Sequence, residues 1–160
     1  MQELRQALSA LVMQRARSPR FEGPLSHMDR AGSALNPYCG DAVSVVVALD
    51  ATGDRLEALR CRVEGCELCR ASADLMAECL QGRTLREASQ LDHDFQWLLS
   101  TGTCVWSADH PLNSLSSFGA LQAVPARSSC AALPWQALRQ ALSPDGVLQP
   151  GAQPPPAPPR

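Results

Sequence analysis

The sequence predicts an α+β fold, a small antiparallel sheet of about three strands covered by helices. Three observations predict it. Residues 42–50 and 56–64 read as strands joined by the turn Asp50-Ala51-Thr52-Gly53-Asp54. From Glu67 onward the apolar spacing changes to the helical threes and fours. Thr84-Leu85-Arg86-Glu87 then forms a capping box, which opens a further helix.

Taken in order, residues 1–17 read as an amphipathic helix, with Leu4, Ala7, Leu8, Leu11 and Val12 on one face. Ser18-Pro19 ends it, because the residue before proline avoids the α region. Residues 19–38 hold Gly23-Pro24, Gly32 and Asn36-Pro37 and read as an irregular connection with an edge strand near Ala31–Leu35. Residues 42–50 are apolar nearly throughout, as in a strand covered on both faces. In the next strand Leu59, Cys61 and Val63 alternate with Arg60, Arg62 and Glu64. Cys69, Ser72, Met76, Cys79 and Leu80 share one helical face, and Gly82 suits the residue after its end. Leu91, Phe95, Leu98 and Leu99 mark the buried stripe of the following helix, which Gly102 stops. A loop is expected over 103–114, a short helix over Ser116–Ala123, and a last helix from Cys130 to Leu142 with Pro134 in its first turn. These elements make one domain over residues 1–142. Residues 143–160 read as a disordered or polyproline tail, since seven of the 13 prolines lie there.

Composition excludes several functions. The formal net charge is −2, so no electrostatic case exists for a nucleic-acid or membrane-surface partner. All 14 basic residues are arginine, which removes a Schiff-base lysine and a P-loop lysine together. Aromatic residues make up 4%, too few for base-stacking platforms. The longest apolar run, Ala42 to Leu49, is too short to span a bilayer. The first residues lack a charged segment followed by an apolar one, so a cytoplasmic location is expected. There, seven cysteines should serve as thiols or metal ligands rather than disulfides.

Three cysteine motifs carry the chemistry. In Asn36-Pro37-Tyr38-Cys39-Gly40-Asp41, a thiol and a carboxylate stand two residues apart on extended backbone and so point the same way. Gly40 between them removes bulk and admits a ligand. The alternative is a turn that merely holds a core cysteine. Gly65-Cys66 stands where the strand gives way to the helix, and the helix dipole favours a thiolate there. Cys69 completes a C-x-x-C pair, which serves as half a zinc site or as a redox pair. The third motif, Pro125-Ala126-Arg127-Ser128-Ser129-Cys130, puts another thiol near a helix start, with Arg127 placed to lower its pKa or hold an anionic sulfur.

As a set these motifs resemble the NifU/IscU-type iron–sulfur cluster assembly family, in particular its SufU-like branch. Gly65-Cys66 followed by Ala71-Ser72-Ala73-Asp74-Leu75-Met76, Gly82-Arg83-Thr84 and the Pro125–Trp135 stretch all contribute, and the likeness spans about residues 4–142. The early segment Ser18–Leu25 contributes as well. The resemblance implies that Cys39, Asp41, Cys66 and Cys130 hold a metal, with their loops converging at one end of the sheet. It implies Cys39 as a sulfur acceptor, assisted by Arg127. Ser129 stands where the IscU branch has histidine, and the stretch between the Cys66 and Cys130 motifs is long. Both features are similar to SufU. They imply a zinc-dependent persulfide carrier, a possible sulfurtransferase, serving a SufS-type cysteine desulfurase and downstream iron–sulfur assembly proteins. A scaffold for a [2Fe–2S] cluster on the same ligands, and a non-catalytic zinc-stabilised interaction module, are the alternatives. Cys69 departs from the family, where serine is usual. It reads as a buried small side chain, or as a fifth thiol that supplements the ligands.

Overall fold

The computed structural model describes residues 6–149. Helix α1 spans Ala10–Arg17, strand β1 Arg30–Leu35, β2 Ala42–Leu49 and β3 Leu56–Glu64. Helix α2 spans Glu67–Leu80, α3 Leu85–Thr101 and α4 Pro125–Leu142, with a 3-10 helix at Asn113–Ala123 before α4. The strands form one antiparallel sheet in the order β1-β2-β3. The predicted three-strand α+β architecture is therefore what forms.

Central strand β2 is buried on both faces. Val43, Val45 and Val47 enter the core, which also holds Leu75 and Met76 of α2 and Trp135 and Leu138 of α4. Phe95 of α3 stacks on Trp135 with ring centroids 4.6 Å apart. Burying such rings contributes stability in proportion to the area removed from water. Gly32 lets β1 touch α4, since a Cβ there would overlap the Ala137 carbonyl oxygen and the Ala141 nitrogen. The capping box at Thr84 is present in both directions, and Gly102 ends α3 in the left-handed region with φ 72°.

A buried ion-pair network fixes the segment between α1 and β1. Arg15 binds Asp74 at 2.8 Å and Glu78 at 2.7 Å. The other Asp74 oxygen accepts from the backbone N–H groups of Arg20 and Phe21, each at 2.7 Å. Both terminal guanidinium nitrogens of Arg15 and both Asp74 oxygens are paired, so the charge can stay buried, while Arg15 Nε has no partner among the described residues. The Phe21 carbonyl then accepts from Cys61 N–H at 2.9 Å, so this segment shields the outer edge of β3.

Four expectations are corrected. The helix predicted over 1–17 breaks at Leu8–Ser9, because the Ser9 hydroxyl accepts from Val12 N–H and starts α1 anew; residues 1–5 lie outside the described residues. The helix expected at Ser116 is a 3-10 helix that begins at Asn113. The last helix begins at Pro125 instead of Cys130. Proline suits a first helical position, and Pro134 is consequently interior, removing one backbone bond. Residues 143–149, grouped with the tail by composition, instead make a 3-10 turn at Pro144–Gly146 and a bridge between Val147 and Arg30. The rest of the predicted tail, 150–160, lies outside the described residues. Among the described residues no helix is long and apolar enough to cross a membrane.

Candidate metal centre

The register of the sheet builds the site. Ala42 at the start of β2 pairs with Glu64 at the end of β3 and with Leu35 at the end of β1. The residues just outside those positions, 36–41 and 65–66, therefore meet at one end of the sheet. Asn36 closes the first loop: its N–H donates to the Asp41 carbonyl at 2.9 Å, and its carbonyl accepts from Gly40 N–H at 2.8 Å. Its side-chain oxygen accepts from Tyr38 N–H at 3.0 Å.

This loop is a turn and not the extended backbone the sequence suggests. Gly40 has φ 77°, and a Cβ there would meet nothing within 4 Å. Its contribution is thus backbone freedom rather than room for a ligand. The turn still directs Cys39 and Asp41 to one place. Cys39 Sγ, an Asp41 carboxylate oxygen and Cys130 Sγ all lie within 4.8 Å of one another. The two sulfurs are 3.9 Å apart.

Cys66 borders this triad. It is the N-cap of α2, and its thiol lies against Asp41 and Cys130, though it falls outside the 4.8 Å group. The helix terminus does not make it a ready thiolate. Burial pushes its pKa up, and the backbone N–H of Cys69 only partly opposes this. Burial likewise pushes Cys130 up, followed by the nearby Cys66 and Asp41. Cys130 lies in the second turn of α4, so the expected helix-start effect is absent. Arg127, one turn earlier, is half-buried; its backbone N–H donates to the Val124 carbonyl at 2.9 Å, and its guanidinium makes no hydrogen bond or ion pair among the described residues. It does not lower the Cys130 pKa as expected, because burial and neighbouring negative groups dominate.

The donors fit a cation. Asp41 is 5% exposed, and its Oδ2 is buried without a hydrogen-bond partner. An orphaned carboxylate oxygen costs free energy unless a positive group compensates it. Three thiols and a carboxylate suit tetrahedral Zn²⁺, and iron accepts the same soft donors.

The supporting roles of three residues escaped the sequence reading. Gly65 sits under Asp41: a Cβ there would stand 2.7 Å from Asp41 Cγ and 2.8 Å from Oδ1. Gly65→Ala should push the carboxylate out of line and weaken metal affinity about 10–100-fold, as loss of an orienting contact does. A competitive chelator titration measures this, and unchanged affinity would contradict it. Ser72 and Trp135 clamp α2 to α4 beside Cys130. Ser72 Oγ donates to the Ala131 carbonyl at 2.6 Å, and Trp135 Nε1 donates to Ser72 Oγ at 3.2 Å, all buried. Ser72 shares the helical stripe legible in the sequence, but its partner on α4 is visible only in three dimensions. His110 stacks on Trp106 and pairs with Asp94 at 3.2 Å, a contact unrelated to the triad.

Comparison with known proteins agrees with this geometry. The NifU-like N terminal domain family matches residues 7–96. The chain is 28% identical over 133 residues to the zinc-dependent sulfurtransferase SufU of Bacillus subtilis (strain 168), covering 83% of this chain and 87% of that protein. It is 27% identical over 133 residues to the iron–sulfur cluster assembly scaffold protein IscU of Streptococcus pyogenes serotype M1, covering 83% and 80%. Among solved structures, one described as a candidate iron–sulfur cluster assembly scaffold for the SUF system of Fervidobacterium islandicum AW-1 superposes with TM-score 0.75. That pair is 25% identical over 86% of this chain and 98% of the other. The N-terminal NifU-like protein of Brucella abortus shares the fold, with TM-score 0.76 at 17% identity over 87% and 94%. With the family matched over more than half its length and the Cys/Asp triad assembled at the end of the sheet, the chain belongs to the NifU-like N-terminal domain family of iron–sulfur cluster assembly proteins.

Proposed function

We propose that this protein is a zinc-dependent sulfur acceptor that takes persulfide sulfur from a SufS-type cysteine desulfurase and passes it to downstream iron–sulfur assembly proteins. One observation carries the reading: the triad is asymmetric. Asp41 and Cys130 are buried at 5% and 3% exposure, whereas Cys39 is exposed beside Tyr38, which is 97% exposed. A buried pair suits holding, and an exposed thiol suits meeting a partner.

Cys39, Asp41, Cys66 and Cys130 would hold the zinc, which would favour thiolates at neutral pH. The remaining chemistry belongs to the chain. The Cys39 thiolate attacks the outer sulfur of the desulfurase persulfide. The bond between that sulfur and the enzyme's cysteine breaks, and its electron pair leaves with the enzyme thiolate. Cys39 now carries the persulfide, with no net oxidation. Arg127 supplies a positive charge one helical turn from Cys130, suited to an anionic sulfur. The reading places the protein in a reducing compartment, where its thiols stay available.

Mass mapping after incubation with desulfurase and cysteine tests the assignment. One added sulfur on the peptide bearing Cys39 is expected, and a sulfur found only elsewhere would overturn it. Freshly purified protein that carries iron with visible sulfur-to-iron absorbance would favour the [2Fe–2S] scaffold instead; the Streptococcus relative is named an iron–sulfur cluster assembly scaffold.

A further inference from the structure

We propose that Cys69 is a fifth donor of the metal centre, taking the coordination position that Cys39 leaves when it carries sulfur. The inference rests on the acceptor reading for its exchange step. The fifth sulfur itself is placed by its position in the first turn of α2 and by its burial.

Cys66 is the N-cap of α2 and Cys69 is its third helical residue. Side chains at those two positions face each other across the first turn, the arrangement a capping box uses. Cys69 therefore projects toward the thiol that borders the triad. It is 0% exposed. Burial pushes its thiol pKa up, and the nearby charges of Asp41, Cys66, Cys130 and Cys39 add to this.

Its lack of a partner is informative. Cys61 donates to the Ala73 carbonyl at 3.7 Å, and Cys130 to the Ala126 carbonyl at 3.4 Å. Cys79 meets the Ser114 hydroxyl at 3.5 Å, and even exposed Cys104 reaches the Trp106 carbonyl at 3.9 Å. Among the described residues, no hydrogen bond involves the Cys69 thiol. Asp41 Oδ2, in the site itself, is also buried and unpartnered. A buried thiol and a buried carboxylate oxygen, both left unsatisfied, call for a ligand.

Four donors close a tetrahedral zinc site. When Cys39 swings out to carry sulfur, three remain. Cys69 supplies a fourth from a rigid helix, so the centre stays closed to water. Cys69 would take that position as a thiolate, its proton passing to the desulfurase thiolate released when Cys39 accepts sulfur. Ala71 and Ala73 on the same helix are also fully buried, so small apolar side chains fill space there without a sulfur.

Cobalt(II) titration tests this, because near-ultraviolet sulfur-to-cobalt absorbance counts thiolate ligands. The unaltered chain and Cys69→Ala should each show three thiolates. Cys39→Ser should also show three, with affinity within about tenfold of the unaltered chain. Combining Cys39→Ser with Cys69→Ala should leave two and weaken affinity by roughly a further hundredfold. Two thiolates in Cys39→Ser, with affinity equal to the double variant, would overturn the proposal while leaving the acceptor reading intact. Residue 39 is exposed, so this decisive count does not depend on how Cys69 variants fold. A persulfide absent from Cys39 of the unaltered chain, with three thiolates kept in Cys39→Ser, would remove the acceptor step and support Cys69 as a donor. No cobalt bound by the unaltered chain would overturn both.

Discussion

Cys39→Ala should abolish sulfur acceptance, lowering stimulation of the desulfurase by roughly a thousandfold or more, as loss of a nucleophile does. Among the described residues, only Cys39 combines ligand distance with exposure. The buried thiol of Cys130 sits at the same place, but a partner's persulfide cannot reach a group that is 3% exposed. The substitution lies in an exposed turn and should change the stability of the metal-free fold by about 0.5 kcal/mol or less. Steady-state desulfurase assays beside circular dichroism separate the two effects. Full stimulation by folded Cys39→Ala would leave the chain only an interaction module.

Stripping the metal should destabilise the protein substantially. Any ion that binds only the folded state stabilises it by about 4 kcal/mol at a thousandfold excess over its dissociation constant. For a domain of this size each kcal/mol moves the midpoint by about 2–4 °C, so a fall near 10 °C is expected. The physical origin is local. Without a cation, Asp41 Oδ2 is a buried carboxylate oxygen with no partner, and burial holds the Cys66 and Cys130 thiols protonated. Calorimetry before and after chelation, with metal content measured in both samples, checks this. An unchanged midpoint after proven metal loss would contradict it.

Much of this was legible in the residues. The alternation around Cys61 and the buried run of valines in β2 placed both strands, because side-chain period follows directly from backbone geometry. The capping box at Thr84 and Gly102 set the limits of α3 through local bonds that the sequence spells out. The limits of α4 were not legible. Cys130 looked like a first-turn residue because Pro134 suggested a nearby start, yet Pro125 takes that position and packing against β1 and β2 holds the helix across Pro134.

The site shows the same division. The family resemblance implied Cys39, Asp41, Cys66 and Cys130 as one set; Cys39, Asp41 and Cys130 meet, and the sheet register brings together the loops that carry Cys39, Asp41 and Cys66. Gly65 was noticed only as the neighbour of Cys66, while its effect is exerted on Asp41 across the sheet. The Ser72–Trp135 clamp joins residues 63 positions apart, and no local pattern encodes it. Electrostatics was misjudged for a related reason. Helix termini and Arg127 are visible in sequence, but the degree of burial that outweighs them is a property of the packed fold.

Zinc-edge X-ray absorption on freshly purified protein, with elemental analysis of the same sample, probes the assembled centre most directly. About one zinc per chain in a shell of three sulfurs and one oxygen is the expected result. A chain purified without bound metal, or a shell built only from nitrogen and oxygen, would contradict it.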